Sequence, residues 1–313
     1  MRNPPSVTSL YPFCVPQCPH WSLWPLPSMA LLALSLTLLA MTVATTAITM
    51  IPLDLPLDSF DDQYQGCGPE MKAALPALKR SEFQKNPLFA EVWASAVKEW
   101  QRRGSRVSPL SSSDQAIAIM AYTTNSLHKD FNHNVSLAGR YRGLYQDYFH
   151  FKVLHFLLTD ALATLRDAQG KQCHCVVRWP DKHLFKAKLG DIVGFGQFAS
   201  ASLCKNVTKG FESTMMLQAW TCHGAYIKNF SRYPFEDVVV IPPFEKFKVT
   251  KVTKKGENME IHLDSIGTYS QYNCEWLKGG DTHWGHGDTP DEAQGTMTLT
   301  GDGKQGQGHT RCV

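Results

Sequence analysis

The stretch YPFEDVVVIPPFE, residues 233–245, sets two carboxylates in front of an apolar run that two prolines close. The branched residues from Val238 to Ile241 predict a short buried strand, because side chains branched at Cβ fit the pleated surface of a sheet. Glu236 and Asp237 then stand at the mouth of that strand, on the kind of loop that carries chemistry. On both sides the pattern stays short and β-rich: CHCVVR (173–178), GDIVGFGQFASASL (190–203), TMMLQAWTC (214–222), KFKVTKV (246–252) and NMEIHLDSI (258–266). The last alternates cleanly, with Met259, Ile261 and Leu263 on one face.

Before Gly170 the period changes to that of helices. NPLFAEVWASAVKEWQRRG, residues 86–104, has Asn86 to cap it, Pro87 in the first turn, an apolar stripe from Phe89 to Trp100 and Gly104 past its end. Residues 112–124 read as a second helix. Residues 144–170 read as one long, mostly buried third, with Val153, Leu157, Ala161 and Leu165 at four-residue spacing. A helical front and a stranded back argue for an α+β fold and against alternating βαβ units. The GFG at Gly194 and Gly196 is therefore no dinucleotide fingerprint, since no strand-turn-helix unit surrounds it.

The 313 residues are 43% apolar and 19% charged with a formal charge of +3, which is a globular balance. No basic stripe for nucleic acid follows from it, and the lysines between Lys246 and Lys255 read as the solvated face of a strand pair. Residues 29–50 are apolar and charge-free, with the small residues Ala44 and Ala47 near their end. They read as a signal peptide or, if uncleaved, a signal anchor, the one route to a membrane. Residues 1–28 are a Pro-rich extension of unclear status. Residues 279–313 are Gly-rich, read as a disordered tail, and show no hydrophobic end for a lipid anchor to replace. An extracellular address predicts disulfides and glycans. Seven cysteines follow the signal, with sequons at Asn134, Asn206 and Asn229. Cys173, His174, Cys175, Cys222 and His223 can be drawn as a zinc site, but their spacing matches no usual ligand pattern, and no metal is expected.

DSFDDQYQGC, YFHFKVLHFLLTDAL, GQFASASL, TCHGAYIKNFSRYP and VVVIPPFEKFKV, with IHLDSIGTYSQYNCEWLK after them, occur in this order. Together they resemble the vertebrate ecto-ADP-ribosyltransferases, the arginine-specific mono-ADP-ribosyltransferases. The resemblance runs over residues 55–278, helical to about residue 170 and stranded after it. It implies a helical part followed by a split β-sandwich, an NAD cleft, and NAD or NADP as co-substrate. ADP-ribose would pass to arginine-containing acceptor proteins, on secreted material or at the outer face of the membrane.

The resemblance also implies a site of Arg, Ser and Glu-x-Glu. Arg178 ends CHCVVR and would hold the pyrophosphate as a planar bidentate donor, with Trp179 standing where the family has Gly. Ser200 opens Ser-x-Ser and would orient the catalytic acid and touch the nicotinamide ribose, with Ser202 following on the same strand face. Aligning the family's Glu-x-Glu on Ile241, Pro242 and Pro243 puts the first Glu at Glu236, which would position the acceptor, and the catalytic Glu at Val238. Asp237 is the middle residue, and adjacent strand residues face opposite ways unless a bulge re-aims one. The alternative function is a weak or inactive NAD-binding or interaction protein on the same fold. The family pattern pairs Cys67 with Cys274 and Cys173 with Cys222, the latter closing a loop worth about 4 kcal/mol. Cys175 and Cys204, on neighbouring expected strands, form a further pair.

Overall fold

The computed structural model describes residues 50–180, 184–206, 214–256 and 258–278. The extension and signal at residues 1–49, the tail at 279–313 and Cys312 lie outside the described residues. Five α-helices come first: α1 (Gly68–Lys85), α2 (Pro87–Arg102), α3 (Ser113–Tyr122), α4 (Asn125–Val135) and α5 (Lys152–Ala168). The Asn86 carboxamide accepts from the Phe89 amide at 3.0 Å and the Ser112 hydroxyl from the Gln115 amide at 3.3 Å, so α2 and α3 start where their caps predict.

Residues 144–170 are not one helix. A π-helical turn spans Leu144–Tyr148, the chain turns through Phe149–Phe151, and only then does α5 begin. Phe149 and Phe151 are two residues apart, so an unbroken helix would turn them to nearly opposite sides. The break lets Tyr145, Phe149 and Phe151 all be buried, Tyr145 and Phe149 against Phe60, whose ring stacks on Tyr145 at 3.9 Å, and Phe151 against Phe89 and Phe131. Glu82 of α1 supplies what the broken end needs: its carboxylate accepts from the amides of Lys152 at 2.7 Å and Val153 at 3.0 Å.

The strands are β1 (Met50–Pro52), β2 (His174–Arg178), β3 (Leu184–Lys186), β4 (Ile192–Gly194), β5 (Ala199–Leu203), β6 (Met215–Thr221), β7 (Ala225–Tyr226), β8 (Val238–Ile241), β9 (Glu245–Lys255) and β10 (Asn258–Thr268). β1 and β3 pair in parallel, and the other eight form one sheet in the order β4-β9-β10-β6-β2-β5-β8-β7, antiparallel except between β10 and β6. The β-rich stretch 190–203 makes two strands, β4 and β5. Gly196 makes the break, at φ +64°, where an added Cβ would sit 2.5 Å from the Pro56 side chain. The fold is α+β, and the sheet closes on itself as a sandwich. One cluster joins Val193, Phe247, Ile261 and Leu217 from one half to Ala199, Ala201, Val239 and Ile241 from the other. A second core cluster fills the helical half and takes in Val240 and Ala225 from the sheet's other face.

His155 of α5 is wholly buried in that helical core. Its Nε2–H donates to the Phe60 carbonyl at 3.1 Å, and its Nδ1 accepts from the Tyr64 hydroxyl at 2.8 Å. Burial pushes the imidazole down to about 3, and the bond to Phe60 only partly offsets this. A depressed value means that the unfolded chain binds a proton that the native one refuses. The contribution is therefore complete above the ordinary 6.5 and lost as pH falls toward 3, at about 1.4 kcal/mol per pH unit inside that window. Denaturant titrations at pH 7 and pH 5 should show the stability gap between the native chain and His155→Gln narrowing at the lower pH. A gap that stays constant would mean that the imidazole ionises in place.

Candidate active site

β8 and β5 bring the residues of the opening stretch to the Ser-x-Ser segment. Val238 pairs with Ser202 and Val240 with Ser200, with no break in register. Paired residues share a face, so Ser200, Ser202, Val238 and Val240 look toward the helices, and Val239 and Ile241 look into the sandwich. Asp237 belongs with Val239. Its carboxylate accepts from the Tyr226 hydroxyl and from the Lys228 ammonium at 2.8 Å, and Tyr226 lies opposite Val239 in register. No bulge re-aims it, so the one acid beside Val238 is tied down across the sheet.

A cavity of about 320 Å³ opens on the helical face, lined by Ser200, Val238, Glu236, Thr123, Asn125, His128, Ser231, Tyr233 and Phe235. The loop that carries Glu236 is anchored at its start. The Arg103 guanidinium donates to the carbonyls of Ser231 and Arg232, both at 2.7 Å, and the Tyr233 amide donates to the buried Ser231 hydroxyl at 3.1 Å. Beyond that anchor the Glu236 amide closes a turn onto the Tyr233 carbonyl at 3.1 Å, leaving the Glu236 side chain and the Phe235 ring exposed.

A larger cavity of about 660 Å³ lies alongside and takes in Arg178, Asn132, Phe185, Phe195 and the segment from Pro52 to Pro56. His128 lines both cavities, so the two make one cleft. Arg178 joins them from the sheet side, its Nη1 donating to the Ser200 carbonyl at 2.7 Å. Tyr122, at the end of α3, fixes the Ser200 side chain. Its hydroxyl donates to the Phe198 carbonyl at 2.8 Å and lies 3.2 Å from Ser200 Oγ, which leaves the serine hydroxyl as the donor of that second bond. Burial pushes the Tyr122 hydroxyl up to about 12, so it keeps its proton at any physiological pH. Asn132 braces the same strand entry, donating to the Phe198 carbonyl at 2.9 Å and accepting from its amide at 3.2 Å.

Arg178, Ser200, Glu236 and Val238 thus fall around one cleft, and Ser202 sits opposite Val238 but outside the lining of either cavity. Trp179 is half-buried and also absent from the described lining. Tyr122, His128 and Asn132 were not singled out in sequence. Tyr122 closes an apolar helix and reads as core, and the stripe of Leu127, Phe131 and Val135 in α4 marks a helix without marking which of its polar residues meet the cleft. The cysteines drawn as metal ligands are oxidised: Cys67–Cys274, Cys173–Cys222 and Cys175–Cys204 form the three expected disulfides.

A sandwich packed on helices, with an Arg and a Ser side by side on neighbouring strands at its cleft, fits the mono-ADP-ribosyltransferase class, and comparison with known proteins agrees. A family model described as NAD:arginine ADP-ribosyltransferase matches residues 53–271, and the chain belongs to that family. The erythroblast NAD(P)(+)--arginine ADP-ribosyltransferase of Gallus gallus is 45% identical over 258 residues, covering 80% of this chain and 86% of the relative. The GPI-linked NAD(P)(+)--arginine ADP-ribosyltransferase 1 of Mus musculus is 44% identical over 239 residues, 72% of this chain and 74% of the relative. Among solved structures, the eukaryotic mono-ADP-ribosyltransferase ART2.2 matches with a TM-score of 0.62 at 35% identity, covering 72% of this chain and 98% of that one. A Glu-to-Ile mutant of ART2.2 in complex with NAD matches with a TM-score of 0.61 at 34% identity and the same coverage. Among the described residues no helix is long and apolar enough to cross a membrane.

Proposed function

We propose that this chain binds NAD(P)+ in the cleft and transfers ADP-ribose to arginines of extracellular or surface proteins, at a rate held down by Val238. The observation that carries this reading is the aliphatic side chain of Val238 on the wall of the cavity that also holds Ser200 and Glu236. In this reading the free donors of Arg178 take the pyrophosphate and the locked Ser200 hydroxyl faces the nicotinamide ribose. Glu236, exposed on its anchored turn, holds the incoming guanidinium. The bond from the ribose anomeric carbon to the nicotinamide nitrogen breaks, nicotinamide leaves with the electron pair, and a guanidinium nitrogen attacks that carbon and sheds a proton. Positive charge builds on the sugar before the new bond forms. A carboxylate at the Val238 position would meet that charge, and valine offers neither charge nor acceptor.

Ground-state binding does not need that carboxylate, because only interactions stronger in the transition state set the rate. The NAD complex of the Glu-to-Ile ART2.2 mutant supports the expectation that an NAD site on this fold can tolerate loss of an acid. The same observation favours a second reading, an NAD-binding protein with no transfer activity of its own. Calorimetric titration of NAD+ into the secreted chain, with nicotinamide release followed in the presence of agmatine, tests both. Binding with transfer just above background supports the first reading. Binding with no release at any enzyme concentration supports the second, and failure to bind NAD+ rejects both.

A further inference from the structure

Resting on the NAD(P)+ reading above, we propose that Lys129 and His133 of α4 form a subsite for the 2′-phosphate of NADP+ and so set a preference for NADP+ over NAD+. His128 marks the junction of the two cavities, and from it Lys129, Asn132, His133 and Ser136 line the larger one. Offsets of one, four, five and eight residues are a single helical face, about 12 Å long. With nicotinamide ribose at Ser200 and pyrophosphate at Arg178, the adenosine half has only this stretch of the cleft left to occupy. Across the cavity the rings of Phe185 and Phe195, seated on the sandwich core, offer the adenine an apolar surface.

The charge along this face is what singles out a phosphate. Lys129 and His133 lie one turn apart, where side chains flank a common point, and both are exposed. Neither takes part in an ion pair among the described residues. Asn132, between them, has its carboxamide committed to both backbone groups of Phe198 and is not free to bind. Among the described residues the lining carries one carboxylate, Asp54, whose backbone carbonyl accepts from the Gly194 amide at 3.2 Å. Asp130, between them in sequence, does not line the cavity and its carboxylate accepts from the Asn134 carboxamide at 3.2 Å, so the lysine and the imidazole leave donor capacity that NAD+, once its pyrophosphate sits on Arg178, does not use. A phosphomonoester dianion on the adenosine ribose uses it.

Calorimetry of the full secreted chain with NAD+ and with NADP+ tests the subsite. Lys129→Gln is expected to weaken NADP+ about fivefold and the Lys129→Gln/His133→Gln pair about tenfold, with NAD+ affinity kept within about twofold throughout. The NADP+ advantage of the native chain should also shrink as salt is raised from about 20 mM to about 300 mM. Native NAD+ binding with both nucleotides weakened alike by the substitutions, or neither weakened, overturns the subsite and leaves the NAD(P)+ reading standing. Loss of NAD+ binding by the native chain itself would instead overturn the reading on which the subsite rests.

Discussion

Val238→Glu is expected to raise transfer to agmatine at least tenfold, and by up to about 10²- to 10³-fold if the new carboxylate reaches the geometry that a preorganised acid has. In barrier terms the upper end is roughly 3 to 4 kcal/mol. NAD+ affinity should move less than about twofold, because the gain lies in the transition state. The site can receive the acid. Val238 is half-buried, lines an open cavity rather than the closed core, and has Ser202 directly opposite and Ser200 two residues along the same strand face. The control is Asp237→Asn, expected to leave transfer unchanged, since that carboxylate is held on the other face of the sheet by Tyr226 and Lys228. Steady-state nicotinamide release with and without agmatine reads both variants. Robust transfer by the native chain, abolished by Asp237→Asn, would mean that the strand end rearranges and Asp237 serves as the acid. No gain from Val238→Glu in a variant shown to bind NAD+ would remove Val238 as the limiting residue.

How far the fold can be read from the sequence depends on whether the decisive force is local. α2 and α3 have their caps and apolar stripes written within one stretch, and β8, β9 and β10 show branched residues or clean alternation, whereas β7 is only Ala225–Tyr226 and shows neither. α1 hides behind Pro69 and an interior Pro76, and α4 behind Asn, His and Asp, all poor helix formers that tertiary packing overrides. The break before α5 is set by Glu82, some seventy residues earlier, and by the aromatic rings of Tyr145 and Phe149 packing on Phe60 while Phe151 packs on Phe89 and Phe131. No window along the chain contains that packing. The site was legible in the same uneven way. Resemblance picked out Arg178, Ser200, Glu236 and Val238, which the structure gathers around one cleft, and period-two alternation puts Asp237 on the other face of its strand. That His128 joins the two halves of the cleft, and that Tyr122 locks the serine, depends on where α3 and α4 pack against β5. Those are distances in space that spacing in the chain does not encode.

Removing the disulfide between Cys67 and Cys274 by paired Cys→Ser substitution is expected to produce the largest loss of stability. The bridge spans 207 residues, and the loop-closure model puts a loop of that length at about 5 kcal/mol, an upper figure because real denatured chains are not random. At about 2 to 4 °C per kcal/mol for a domain of this size, the midpoint of thermal unfolding should fall by roughly 10 to 20 °C. The bridge does not act alone. The fully buried Asp62 accepts from the amides of Tyr64 at 2.7 Å, Cys274 at 2.9 Å and Glu275 at 2.8 Å, and Asp61 accepts from those of Gln271 and Tyr272. Asp62→Ala orphans two buried donors and one half-buried one and should cost about 3 kcal/mol by itself. The two losses are not independent, since two of the three donors sit at and beside Cys274. With the bridge intact, the end of the chain freed by Asp62→Ala stays tethered. With both gone, residues 270–278 have no covalent hold on the start of the domain and fewer hydrogen bonds to it, among them those of Gln271 and Tyr272 to Asp61, of Ser270 to the Asp61 carbonyl and of Asn273 to Gln65, and should detach before the core unfolds. Hydrogen exchange should then show early loss of protection at Tyr272 and Glu275 in the triple variant alone, while Ser200 and Arg178, held by β5 and β2, keep NAD+ affinity below the melting point. A thermal midpoint unmoved by loss of the bridge, or equal early exchange in the Asp62→Ala single variant, would show that the two ends of the domain are joined by something other than this clamp.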